Sequence, residues 1–171
     1  MKLHYAFFLC LLTPLYLLAD DDEEDNFEEL RKSELPESVL VTVQKHFPEG
    51  RIREAGKTAE DGAVVYIVMI QDRTGDAEMG TRADGTLLFA EQKVNPRKLP
   101  KPVGAAIGSN YPRAKIEEAL FITEMDEEEG EIQFFLVILE TRDERLQVAI
   151  RPGGEILEVE PVEETGEDDD E

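Results

Sequence analysis

Apolar residues fall along this chain in two rhythms, one helical and one alternating, and the pair of rhythms occurs twice. In LPESVLVTVQKHFPEGRIREA, Leu35 to Ala55, the residues Val39, Val43 and Phe47 stand at i, i+4 and i+8, one stripe of a helix. Pro36 suits the first helical turn, where its missing N–H costs nothing. Pro48 ends the helix, because the residue before a proline leaves the α region. RIREAGKTA, AVVYIVMIQ, DAEMGTRA and TLLFAEQ follow as four strand-like runs, the second rich in β-branched and aromatic residues. Asp61-Gly62, Gly75 and Asp84-Gly85 punctuate them, and Asp84-Gly85 reads as a two-residue hairpin loop of the primed type.

The same order returns from Leu99. Sliding the chain by 64 residues lays Leu35-Pro36 on Leu99-Pro100, Val39 on Val103, Val43 on Ile107, Phe47-Pro48 on Tyr111-Pro112, Ile52 on Ile116 and Glu54-Ala55 on Glu118-Ala119. Past an acidic insert around MDEEEGE the offset becomes 69, and Tyr66, Val68 and Ile70 meet Phe135, Val137 and Leu139, while Met79 and Thr81 meet Val148 and Ile150. Gly85 then meets Gly154, with Gly153-Gly154 as the second primed turn. Matches of type in a single order are the mark of internal duplication, with two copies too few for a solenoid. The expected fold class is α+β, two tandem repeats, each one helix packed on a four-stranded antiparallel β-sheet. The pattern leaves open whether the two sheets join into one saddle. Gly104, Ala105, Ala106 and Gly108 replace bulk in the second helix. Glycine costs about 1 kcal/mol in a helix, so close backbone packing is expected there, the alternative being a partly frayed helix.

The termini differ from this pattern. Lys2 and His4 precede an apolar run from Tyr5 to Leu18, and Ala19 precedes a block of acids, the layout of a secretory signal peptide over 1–19. At about 14 residues the run is short of the roughly 20 that span a bilayer, and Pro14 interrupts it; an uncleaved anchor is the rival reading. Cys10 lies inside the leader behind Phe7-Phe8-Leu9, too bulky for a lipoprotein cleavage site, so the mature chain has no disulfide, thiolate nucleophile or cysteine metal site. DDDEED opens the acidic segment 20–34 and EETGEDDDE closes the chain at 161–171; both tails are expected to be disordered. The formal net charge is -22. From Leu35 to Leu157, 22 acids stand against 15 bases, so the repeats at 35–94 and 95–160 carry little of it. Such a field disfavours nucleic acid and, once the leader is removed, anionic membrane; it favours basic partners and weak association of divalent cations.

Leu-Pro, an apolar helix, Phe/Tyr-Pro, Ile, Glu-Ala, then Tyr-x-Val-x-Ile and a closing Asp-Gly-x-Leu resemble the PepSY-like domains, also described as β-lactamase-inhibitor-like. The resemblance covers about Leu35 to Glu160 in two copies. It implies a bacterial, secreted or periplasmic protein with no enzymatic activity of its own, one helix on a curved antiparallel sheet per copy, and a relation to modules that bind or inhibit hydrolases. The chain departs from the pattern in its acidic tails, its acidic insert and at Gly153, where Asp is expected. The resemblance also implies that Tyr66, Val68, Ile70, Phe135, Val137 and Leu139 face the helices. Val65, Ile67, Met69, Phe134, Leu136 and Ile138 then face the other way. A sheet with helices on one side should alternate apolar with polar, so these six need a cover: the other copy, a second protomer, or a binding partner. They are the candidate binding residues, with Met69, Phe134 and Ile138 as anchors.

Catalytic chemistry is thin. His46 is the one histidine of the mature chain and ends the first helix, where a cation interacts favourably with the dipole; alone it is neither a triad nor a metal site. Ser33, Ser38 and Ser109 lack a nucleophile-elbow context. Glu124 to Glu131, EMDEEEGE, lacks the alternating ligand spacing of a calcium loop and reads as a solvated turn. No cofactor is implied. The chain therefore reads as a non-enzymatic binding module, inhibitor-like or accessory to an envelope hydrolase. The alternative is a structural or cation-associating envelope protein acting through its tails.

Overall fold

The computed structural model describes residues 27–60, 62–126 and 130–162. The leader, the first acids and the last nine residues lie outside them. Strand β1 is Glu28–Glu29; helix α1, Glu37–His46, is followed by β2 (Arg51–Glu60), β3 (Ala63–Gln71), β4 (Asp76–Arg82) and β5 (Leu87–Lys93). Helix α2, Lys101–Asn110, is followed by β6 (Lys115–Asp126), β7 (Gly130–Glu140), β8 (Arg145–Ile150) and β9 (Ile156–Pro161). Each helix thus precedes four antiparallel strands, and the apolar stripes do the packing. Val39 and Val43 pack with Ala55, Val68, Ile70, Met79 and Leu87. Val103 and Ile107 pack with Ala119, Val137, Leu139, Val148 and Ile150. Phe47 and Tyr111 cap the helices, their N–H groups donating to the carbonyls of Val43 and Ile107 at 2.8 Å.

The expectation of two four-stranded units, one sheet to each helix, is overturned. The strands form one nine-stranded sheet in the order β1-β2-β3-β4-β5-β6-β7-β8-β9. Phe89 to Lys93 pair antiparallel with Glu124 to Leu120, and the Val94 N–H continues the seam to the Ala119 carbonyl at 2.8 Å. Unjoined, β5 and β6 would each present a bare row of N–H and C=O groups; joining satisfies both. Because directly paired residues point to the same side, Ala90 opposite Thr123 and Gln92 opposite Phe121 put both helices on one face.

Three smaller expectations change too. Residues 28–34, assigned to the acidic tail, include β1, paired with Gly56 and Lys57, and a 3-10 turn at Lys32–Glu34, with Lys57 Nζ 2.9 Å from Glu28. The hairpins at Gly85 and Gly154 are not two-residue primed loops, which need positive φ at the first central residue, here Asp84 or Gly153. Only Gly85 and Gly154 have it, each donating to the carbonyl three residues back, Arg82 and Arg151, so each turn is a type I turn closed by a left-handed glycine. Both glycines lie against the first turn of a helix, where an added Cβ would come within 2.7 Å of the Ser38 carbonyl or 2.8 Å of the Pro102 carbonyl. Gly104 and Gly108 show no close packing: a Cβ at either would meet nothing within 4 Å.

Candidate functional site

The helix-free face of the sheet is assembled by register. One row of laterally paired residues runs across six strands: Glu54 and Met69, Met69 and Glu78, Glu78 and Glu91, Glu91 and Ile122, Ile122 and Phe134. The next row reads Gly56, Ile67, Gly80, Phe89, Glu124 and Ile132. In this second row the glycines make room for rings: Phe89 lies over Gly80, and Phe27 lies over Gly56.

The six sequence-derived candidates all point to this face, but they do not share one environment. Ile67 and Met69 are half-buried. Val65, Phe134, Leu136 and Ile138 are buried. Phe134 and Leu136 pack sideways with Leu120 and Ile122 of β6 and Ala149 of β8, flanked by Ile132 and Leu157. The cover expected for the second-half stripe is therefore supplied largely by neighbours on the same face, across the seam strand β6, and among the described residues no helix or second sheet layer lies above it.

Between the Ile67–Met69 side and the Ile122–Phe134 floor runs a band of carboxylates that sequence reasoning missed. Glu78 and Glu91 are direct cross-strand partners, and Glu124 lies on the adjoining strand one row over. Burial pushes the Glu91 carboxyl up to about 7, with the charges of Glu78 and Glu124 adding to it. Glu78 is raised by burial, and Glu124 by burial and the nearby Asp126. Two cations of this face are engaged elsewhere: Lys93 Nζ is 2.6 Å from Glu118 and Arg145 Nε 2.9 Å from Glu117. Arg82 stands at the far end of β4, opposite Val65. Like charges set directly opposite each other are unfavourable, and among the described residues no cation pairs with Glu78, Glu91 or Glu124. The band was hidden because residues 78, 91 and 124 meet only through two specific strand registers, one of them across the seam.

The remaining candidates resolve into structure. Ser38 donates to the Ala83 carbonyl at 2.5 Å and Thr42 to the Gly85 carbonyl at 2.7 Å, tying α1 to the β4–β5 turn. His46 ends α1, where burial and then Lys45 lower its pKa, so the imidazole is held toward neutrality. A shallow cleft of about 530 Å³ beside Tyr111, Arg113, Lys115, Glu140 and Arg142 holds no nucleophile–base pair. Residues 127–129 of the acidic insert lie outside the described residues. Among those described, no group of three or more His, Cys, Asp or Glu could hold a metal ion, and no helix is long and apolar enough to cross a membrane.

A long, continuous antiparallel sheet bearing two helices on one face can now be set beside solved structures. The fold is similar to that of a BLIP-like protein from Bacteroides fragilis. That structure is 20% identical, with a TM-score of 0.58 over 80% of this chain and 92% of its own. A DUF2874 family protein from Bacteroides uniformis matches at 12% identity and a TM-score of 0.56, over 74% of this chain and 88% of its own. A protein from Bacteroides eggerthii, provisionally described as periplasmic, matches at 14% and 0.55, over 74% and 88%. No protein-family model matches the chain, and no curated protein gives a significant match.

Proposed function

We propose that this chain is a non-enzymatic protein-binding module of a bacterial periplasm or of the secreted space, and that it docks its partner on the helix-free face of its sheet. The observation that carries the reading is a wide face with apolar side chains on several adjacent strands and, among the described residues, no helix or second sheet packed over them. Ile67 and Met69 keep part of their apolar surface accessible there, and accessible apolar patches mark interaction sites in soluble proteins. The likeness to a BLIP-like fold supports a binding role, in the manner of an inhibitor or of an accessory to an envelope hydrolase. The leader-like N-terminus and the description of the Bacteroides eggerthii protein support the compartment.

A photo-crosslinking residue at Met69, in the full chain made by its own cells, should capture one protein in a discrete adduct. The same residue at Val41, exposed on α1, should not. Equal capture from both positions, or none from Met69, overturns the assignment of the face.

A further inference from the structure

The row that crosses the middle of the helix-free face has an order that reads as a template. From β3 to β6 it runs Met69, Glu78, Glu91, Ile122: apolar, acid, acid, apolar. Adjacent strands lie about 4.8 Å apart, so the point between the two carboxylates is about 7 Å from Met69 on one side and about 7 Å from Ile122 on the other. An extended polypeptide advances about 6.8 Å every two residues and keeps those residues on one side. The two spacings agree.

We propose, resting on the reading above, that this face takes an extended segment of a partner polypeptide laid across the strands, carrying a lysine or arginine over Glu78 and Glu91 with an apolar side chain two residues to each side. One flanking side chain would meet half-buried Met69 and Ile67; the other would lie over β6, where Ile122 and Phe134 are 5% and 2% exposed and packed against their own neighbours. Charge selects this occupant over a second copy of the chain. Each copy has a formal net charge of -22, and a second copy seated face to face would bring its own Glu78, Glu91, Glu124 and Asp126 to the same region. On this face Lys93 and Arg145 are already paired with Glu118 and Glu117, and Arg82 lies toward the other end of β4. A cation from outside supplies the missing counter-charge, and a partly buried pairing of that kind adds both affinity and selectivity.

The test uses the full chain and a fluorescent peptide, Thr-Leu-Ser-Lys-Ser-Leu-Thr with blocked ends, followed by polarisation. The expected result is binding that weakens at least about tenfold in the double variant Glu78→Gln with Glu91→Gln, since removing the acceptor of a partly buried charge pair costs that much or more. Binding should also weaken between about pH 8 and about pH 5 as the carboxylates take up protons, and should be lost when the peptide lysine becomes glutamate. If lysine and glutamate peptides bind equally and Met69→Arg abolishes both, the face is a docking site without charge selection: the inference fails and the proposed function stands. If the lysine peptide does not bind at millimolar concentration, or binds with unchanged affinity to Met69→Arg, the inference fails. A concentration-dependent dimer that Met69→Arg dissociates overturns it as well, by assigning the face to a second copy.

Discussion

Replacing Glu91 with glutamine should stabilise this protein, and the gain should depend on pH. The carboxyl has an ordinary value of 4.5 and is raised to about 7 in the fold, first by burial, then by Glu78 and Glu124. The sign follows from linkage. Below about pH 4.5 the group is protonated in both the folded and unfolded chain, so it costs the fold nothing. Between about 4.5 and 7 the unfolded chain releases a proton that the folded chain keeps, and above about 7 the folded chain carries the full cost of a buried charge. At about 1.4 kcal/mol per pH unit the interval corresponds to roughly 3 kcal/mol. The side chain keeps partial contact with water, which screens it, so about 1–2 kcal/mol is the expected net effect. Glutamine has the same shape and no charge to bury. Urea unfolding of the parent chain and of Glu91→Gln, from about pH 4 to about pH 9, measures the difference directly. The two should coincide near pH 4 and diverge through pH 5–7, with the variant more stable by about 1–2 kcal/mol at pH 8. The pairwise comparison cancels the self-repulsion of the other acids. A difference that does not change with pH, or a variant less stable at pH 8, would refute the assignment of a buried, uncompensated charge to this site.

Other outcomes follow from the same geometry. Gly104→Ala and Gly108→Ala should each raise stability by about 1 kcal/mol in thermal or chemical unfolding, because alanine favours the helix by that amount and its Cβ meets nothing. Thr81 is fully buried and its hydroxyl has no hydrogen-bond partner, so Thr81→Val, nearly equal in shape, should gain about 1 kcal/mol by the same measurement. Gly154→Ala should lose about 2 kcal/mol or more, since its φ is +92° and the new Cβ would press on the Pro102 carbonyl. Gly153→Ala, in the same turn with open space around it, should change little.

Much of this architecture was legible in the chain because it is local. The stripes Val39-Val43 and Val103-Ile107 became helices under the covers they imply, and Pro48 and Pro112 lie just beyond the helix ends. The unbroken apolar runs of β3 and β7 announced burial on both faces, and in β7 the structure supplies it twice, through Val137 and Leu139 below α2 and through Phe134 and Leu136 in the cluster opposite. What was not legible is pairing between segments far apart. Nothing in Phe89 to Lys93 names Leu120 to Glu124 as its partner, because a strand edge carries the same backbone groups whatever its side chains. The carboxylate band depends on that pairing and was hidden with it. The glycines of α2 misled for a different reason: low bulk fits a close approach and an exposed surface equally well, and only the positions of neighbouring atoms distinguish them.

The two rims of the sheet differ from its interior in one further respect. Among the described residues β1 pairs with Gly56 and Lys57 of β2, and farther along that rim the strand is broken by the register shift between Ile52 and Glu54. At the other rim, β9 carries Glu158 and Glu160 and ends in Pro161, which has no N–H to donate. Another strand approaching from either side would meet a kink, like charges or a missing donor. The sheet is thus closed to growth at its margins, so the protein resists seeding its own fibres.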